Sequence, residues 1–201
     1  MAYTNDLIYK MTSGSAPYGA ITGSSQYNTT YPPYKAVDDD NTTYWRTTTA
    51  GCTPCWITYQ IPSTEVFRPV TKYTITANSA TDCPITWQFY GSLDGTTFVL
   101  LDSQTDVVAF TAGEKREYAI VNTTNYSYYR LYIIKNGGAT TTAVAEFELM
   151  ATTADTSDVS IAGVSMQVEV DFMDVQIAGV TMQVEIDEGF TNNGLSLGIN
   201  I

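Results

Sequence analysis

Residues 51–61, GCTPCWITYQI, decide between two kinds of protein. Cys52 and Cys55 have the spacing of a redox dithiol and of half a zinc site. A redox dithiol needs a helix N-terminus beside it to depress the thiol pKa. The residues after Cys55 alternate instead: Ile57, Tyr59 and Ile61 share one face, and Thr58 and Gln60 the other. That period of two is a half-buried strand. A structural zinc site requires four Cys or His ligands, and the chain holds 3 Cys and 0 His. The motif therefore reads as a loop that leads into a strand, not as a reactive centre.

The same alternation recurs outward from this segment. YTITA aligns Tyr73, Ile75 and Ala77; ITWQFYGS aligns Ile85, Trp87 and Phe89. YYRLYII aligns Tyr129, Leu131 and Ile133, and AEFELM aligns Phe147 with Leu149. Between them SLDG, TAGE and NGGA supply the residues of tight turns, and Lys115-Arg116 reads as a charged turn. Helical periodicity is almost absent. With 15 Tyr and only 15% charged residues, the chain is predicted to be all-β, an antiparallel β-sandwich over residues 1–151.

Nine Lys and Arg stand against 21 Asp and Glu, a net charge of −12. Such a chain repels phosphate backbones and anionic membrane surfaces, which argues against nucleic acid as a partner. Without histidine it lacks the usual general base at neutral pH. No apolar run reaches the roughly 18 residues of a membrane span, so no membrane insertion is expected. The opening MAYTNDLIYKMTSG has no basic region followed by an apolar one, and the expectation is synthesis in the cytoplasm.

Residues 152–157 are small and polar and read as a linker to a second segment, 158–201. There DVSIAGVSMQVEVD (158–171) recurs as DVQIAGVTMQVEID (174–187). Val164, Met166, Val168 and Val170 fall on one face, as do Val180, Met182, Val184 and Ile186. The Ala-Gly pairs are expected to bulge or bend these strands. Short strands cannot bury such a face alone. The segment is read as a β-repeat assembly module forming a homo-oligomer, a trimer by preference.

The stretch MTSGSAPYGAITGSSQYNTTYPPYKAVDDDNTTYWRT (11–47) resembles the opening of the discoidin, or coagulation-factor type C, domain. The resemblance lies in Ser24-Ser25, the Tyr31–Lys35 stretch, Ala36-Val37-Asp38-Asp39-Asp40 and Thr43-Tyr44-Trp45. CWITYQI, WQFYGSLDGTTFVLL, YYRLYI and VAEFELMA come after it in the family's order. It covers about residues 8–151 and implies a galactose-binding-like jelly-roll sandwich of the carbohydrate-binding-module type. Asp39 departs from the family's usual Gly, and Val37 from its usual aromatic.

The resemblance implies one structural Ca²⁺, held by side chains of Asp38, Thr43 and Glu146 and backbone oxygens of Lys35, Asp40 and Ala145. Hard oxygens of mixed charge suit that ion. It also implies a sugar-binding edge with Tyr27, Tyr31 and Tyr34 as ring platforms and Arg46 and Asn78 as donors. Trp45, Trp56 and Trp87 are read as core. The resemblance puts residues 51–55 and 78–84 in loops at that edge. A Cys52–Cys55 disulfide would stiffen it and leave Cys83 free; a reducing compartment would keep all three as thiols.

A sugar-binding type of module, a strand-forming repeat and no export signal together resemble a bacteriophage head fibre, tail fibre or decoration protein. The reading is a non-enzymatic adhesin on the virion surface, extracellular after lysis, binding glycans or a host surface. The alternative is a purely structural virion subunit whose sandwich contacts only other virion proteins. A glycosidase, which needs two carboxylates flanking the bond, is disfavoured.

Overall fold

Each alternating run of the sandwich is a strand in the computed structural model, and the predicted inward faces are buried except at Ile85, which is half-buried beside a register shift in β5. The structure describes residues 6–49, 53–62 and 69–152, together with the strand backbone at 158–161, 164–167, 176–177 and 180–181. The chain divides into two units, Met1–Thr153 and Ala154–Ile201. The strands of the first unit are β1 (Ala20–Gly23), β2 (Trp45–Arg46), β3 (Cys55–Gln60), β4 (Val70–Thr76), β5 (Pro84–Ser92), β6 (Val99–Gln104), β7 (Lys115–Ala119), β8 (Tyr128–Asn136), β9 (Ala143–Val144) and β10 (Glu146–Ala151).

One antiparallel sheet runs β1-β3-β8-β5-β6 and a second β10-β4-β7, while β2 and β9 form a short ribbon. The inward set includes Ile57, Tyr59, Trp87, Phe89, Tyr129, Leu131 and Ile133 from the larger sheet. Tyr73, Ile75, Phe147 and Leu149 come from the smaller one. Tyr73 stacks on Phe89 at 4.3 Å between ring centroids, and Phe89 on Tyr129 at 5.7 Å. Rings at these offsets add to the area they remove from water. The Trp87 Nε1–H donates to the Tyr73 hydroxyl, so the indole's one polar atom is satisfied inside the core.

Two expectations are overturned. Lys115 and Arg116 begin strand β7 rather than forming a turn. β7 is an edge strand whose charged side chains suit a solvated face, a pattern that polar composition disguises. Trp56 is not core: it is only partly buried, on the outer face of β3, with the Arg130 guanidinium 4.5 Å from its ring centroid. The alternation that buries Ile57 and Tyr59 requires this.

In the second unit, β11 (Asp158–Ile161) pairs with β12 (Val164–Gln167), and β13 (Gln176–Ile177) with β14 (Val180–Thr181). The register pairs Ile161 with Val164 and Ile177 with Val180. The described strands of each repeat therefore pair with each other as antiparallel partners; the Ala-Gly pairs expected to bulge or bend the strands lie outside the described residues. The rest of the repeats and the proposed self-association surface lie outside the described residues. Among the described residues no helix is long and apolar enough to cross a membrane.

Candidate functional site

The loop edge is built around the two-residue strand β2. Trp45 points inward and is fully buried, with its Nε1–H donated to the Ser25 carbonyl. Period two then turns Tyr44 and Arg46 outward together. The Arg46 guanidinium carbon lies 5.3 Å from the Tyr31 ring centroid and 5.0 Å from that of Tyr44. Tyr31 and Tyr44 stack at 4.8 Å, and Tyr27 meets Tyr31 edge-on at 6.2 Å. Backbone bonds from Tyr27 N to the Arg46 carbonyl and from Arg46 N to the Tyr31 carbonyl lock the 27–31 loop to β2.

Behind Arg46 stands Asp82, 4% exposed, with Oδ2 3.6 Å from Arg46 Nη2. Asn78 Nδ2 donates to the same oxygen at 2.8 Å, and Ser79 N to Oδ1 at 3.1 Å. The turn that carries Asp82 is braced by the loop between β8 and β9. Gly137 N donates to the Cys83 carbonyl, Ala139 N to that of Thr81, and Ala143 N to that of Asp82. A Cβ on Gly137 would lie 2.1 Å from the Ala80 carbonyl oxygen, so only glycine permits this approach. Arg46 Nε is buried and has no hydrogen-bond partner among the described residues.

The structure brings Tyr27, Tyr31 and Arg46 together, and Asn78 reaches Arg46 only through Asp82, to which its Nδ2 donates. Tyr34 does not join them: it packs against the hydrophobic core, with the Lys35 ammonium 5.4 Å from its ring centroid. The short 3-10 helix Pro33–Ala36 turns it inward. Sequence reasoning missed Tyr44 and Asp82. Tyr44 precedes a strand of only two residues, too short to show a period, and Asp82 reaches Arg46 only through the fold.

The second cluster joins Asp38, Asp40, Thr43 and Glu146. Asp38 and Glu146 are 5% and 4% exposed, and Asp40 N donates to Glu146 Oε1 at 2.8 Å. Thr43 Oγ1 lies 2.8 Å from Asp38 Oδ1 and 3.3 Å from the Asp40 carbonyl. Lys35 Nζ pairs with Asp38 Oδ2 at 2.6 Å. Burial, and next to it the nearby Asp38 charge, push the Glu146 carboxyl up to about 8. Asp39 takes the turn with φ +53°, a conformation that Asp tolerates better than most residues, so the departure from glycine does not prevent it.

These residues fit a hard cation: two buried carboxylates, a hydroxyl and a backbone carbonyl face one another. Among the described residues no three Cys, Asp or Glu side chains group to hold a metal, so neutral oxygens would complete the shell. Ala145, next to Glu146, donates its N–H to the Thr76 carbonyl. Lys35, expected to offer a backbone carbonyl, brings its ammonium to Asp38.

Cys52 lies outside the described residues, and with it the Cys52–Cys55 pairing. Cys55 is buried at the start of β3. Cys83 is a buried thiol whose Sγ–H donates to the Ala80 carbonyl, and burial pushes its pKa up. It is therefore a poor nucleophile.

The two packed sheets and the loops at their edge form a galactose-binding-like β-sandwich. The F5/8 type C domain model matches residues 20–147, and the chain belongs to that family. Solved structures share the fold. A family 32 carbohydrate-binding module from a Clostridium perfringens protein, in complex with GalNAc-β-1,3-galactose, is 16% identical, with a TM-score of 0.56 over 65% of this chain and 94% of that one. The family 32 module of C. perfringens NanJ, in complex with galactose, is 13% identical, with a TM-score of 0.55 over 66% of this chain and 93% of that one. Chitosan-binding module 1 of a chitosanase/glucanase from Paenibacillus sp. IK-5 is 18% identical, with a TM-score of 0.58 over 73% and 98%. No curated protein sequence matches the chain.

Proposed function

We propose that this chain is a non-enzymatic lectin-like protein that binds a galactose-type sugar at the edge formed by Tyr27, Tyr31, Tyr44 and Arg46. The observation that carries the reading is Arg46. Its guanidinium lies beside two stacked tyrosines and is aimed by the buried Asp82, with the side chain 26% exposed. Tyrosine faces stack on the C–H face of a sugar, and a fixed guanidinium donates to its hydroxyls. Two structurally similar modules hold galactose-containing sugars, which supports that class of ligand.

A calcium ion at Asp38, Thr43, Glu146 and the carbonyls of Lys35, Asp40 and Ala145 is part of this reading, and its role is structural. When bound, it would add positive charge beside Glu146 and Asp38, of which, among the described residues, only Asp38 has a cationic partner, Lys35, and so stiffen the 38–43 turn that precedes β2. The paired strands of the repeats support a homo-oligomer, trimeric by preference, in which several weak sites act together as a virion-surface adhesin.

Titration of the full chain with galactose and with GalNAc-β-1,3-galactose tests the sugar site. Tyr31→Ala and Arg46→Ala should each abolish measurable binding, while glucose should not bind. Affinity unchanged in both variants would overturn the site. Light scattering that gives a monomer for the full chain would overturn the oligomer.

A further inference from the structure

The outer face of the five-stranded sheet carries an aromatic cleft distinct from the loop edge. Arg130 on β8 stands in register with Thr58 on β3 and Tyr90 on β5. Its Nε–H donates to Thr58 Oγ1 at 2.8 Å, which anchors the guanidinium beside two rings. The guanidinium carbon lies 3.7 Å from the Phe98 centroid and 4.5 Å from the Trp56 centroid. Tyr90 meets Phe98 edge-on at 6.4 Å, and Tyr132 edge-on at the same separation. Tyr90, Phe98, Arg130 and Tyr132 line a cleft of about 250 Å³. That is below the range of cofactor and drug-sized pockets, and on the scale of a sugar ring.

Charge sets this cleft apart. In a chain of net charge −12, Arg130 forms no ion pair among the described residues, whereas Arg46, Arg116, Lys35, Lys72, Lys115 and Lys135 all do; Lys10, the other described cation outside an ion pair, is exposed to solvent, and Arg130 is half-buried. Burial lowers the guanidinium's pKa from its ordinary value, the direction taken by a charge without a counter-ion. Its Nε is spoken for, and its terminal N–H groups remain for a planar anion, which guanidinium binds in bidentate fashion.

We propose that this cleft is a second carbohydrate site, selective for an anionic sugar, in which Arg130 pairs with a hexuronate carboxylate and the ring stacks among Tyr90, Phe98 and Tyr132. An acidic glycan fits better than an acidic protein segment because the recess is small and ring-walled. It also lies on a pleated sheet face, which offers an extended peptide no backbone partners. The site is independent of the Arg46 edge and needs no metal.

The test is calorimetric titration of the full chain with α-1,4-linked tetragalacturonate and with its methyl ester. The acid should bind, the ester should not, and binding should weaken as salt rises. Arg130→Gln and Tyr132→Ala should each lower the affinity about tenfold or more. Arg46→Ala should leave it within about twofold, so this site and the galactose site fail or succeed separately. Equal binding of acid and ester, no binding of the acid, or indifference to both variants would overturn the proposal. The ester comparison uses the parent chain alone, so it decides even if Arg130→Gln does not fold. An Arg130-dependent interaction with poly-Glu but not with tetragalacturonate would overturn it in favour of a protein partner.

Discussion

The Tyr73 hydroxyl, on β4, donates to Asp102 Oδ2, on β6, at 2.6 Å, and so bolts one sheet to the other across the core. The hydroxyl oxygen in turn accepts from Trp87 Nε1 at 2.8 Å. Burial, and after it the Asp102 bond, pushes the phenol pKa far above its ordinary value, so the hydroxyl keeps its proton and remains a donor. Tyr73→Phe would strand an indole N–H and weaken the seating of a carboxylate while changing packing little. We expect a loss of about 2–3 kcal/mol in urea denaturation, and a Tm lower by roughly 5–10 °C. A loss under about 0.5 kcal/mol would show the bolt to be dispensable.

Stability should fall as pH rises, and Asp6 is one cause. Burial pushes its carboxyl up to about 8, against bonds from Ile8 N and Leu149 N that oppose the shift. Glu148 and Asp39 raise it further. Below the ordinary carboxylate range, folded and unfolded chains both hold the proton. From there to about 8 only the folded chain holds it, so each pH unit costs up to about 1.4 kcal/mol. Asp6→Asn keeps the accepting oxygen and removes the titration. In calcium-free buffer its Tm between pH 5 and 8 should fall less steeply than the parent's; parallel curves would refute the assignment.

Calcium should act through the second carboxyl that burial raises, Glu146. Glu146 is raised for the same primary reason as Asp6, and a divalent ion would replace its proton. Millimolar calcium should therefore raise Tm at pH 7.5, where the proton is becoming costly to hold, more than at pH 5.5. Asp38→Asn should abolish the response. Equal Tm with calcium and with chelator at both pH values would remove the ion from the site.

The part of the fold legible in the sequence is the part that period two controls. Ile57, Tyr59, Trp87, Phe89, Tyr129 and Leu131 are buried as their alternation requires. The same rule applied to Trp56 puts it outside, and only the family's core positions, which it occupies or adjoins, argued otherwise. Strands of two residues carry no period, so β2 and β9 were invisible, and with them the pairing of Tyr44 and Arg46 on one face. Asp82 reaches Arg46 through a turn braced by a distant loop, and contacts of that kind leave no local trace. The carboxylates Asp38 and Glu146 lie far apart in sequence; the family pattern, and no spacing rule, joined them.

Gly137 offers a way to disturb the sugar edge without touching it. A Cβ there would meet the Ala80 carbonyl oxygen at 2.1 Å and Thr81 Cα at 3.0 Å, both backbone atoms that cannot swing aside. The turn would have to move, and it carries the Asp82 carboxylate that aims Arg46. Gly113 is the control: its φ is +75° and a Cβ there would meet nothing within 4 Å. Gly113→Ala should cost about 1 kcal/mol in backbone strain and leave galactose affinity unchanged. Gly137→Ala should cost at least as much stability and also weaken galactose binding several-fold. If the two alanine variants bind alike, Asp82 does not position Arg46, and the edge draws its order from Tyr31 and Tyr44 alone.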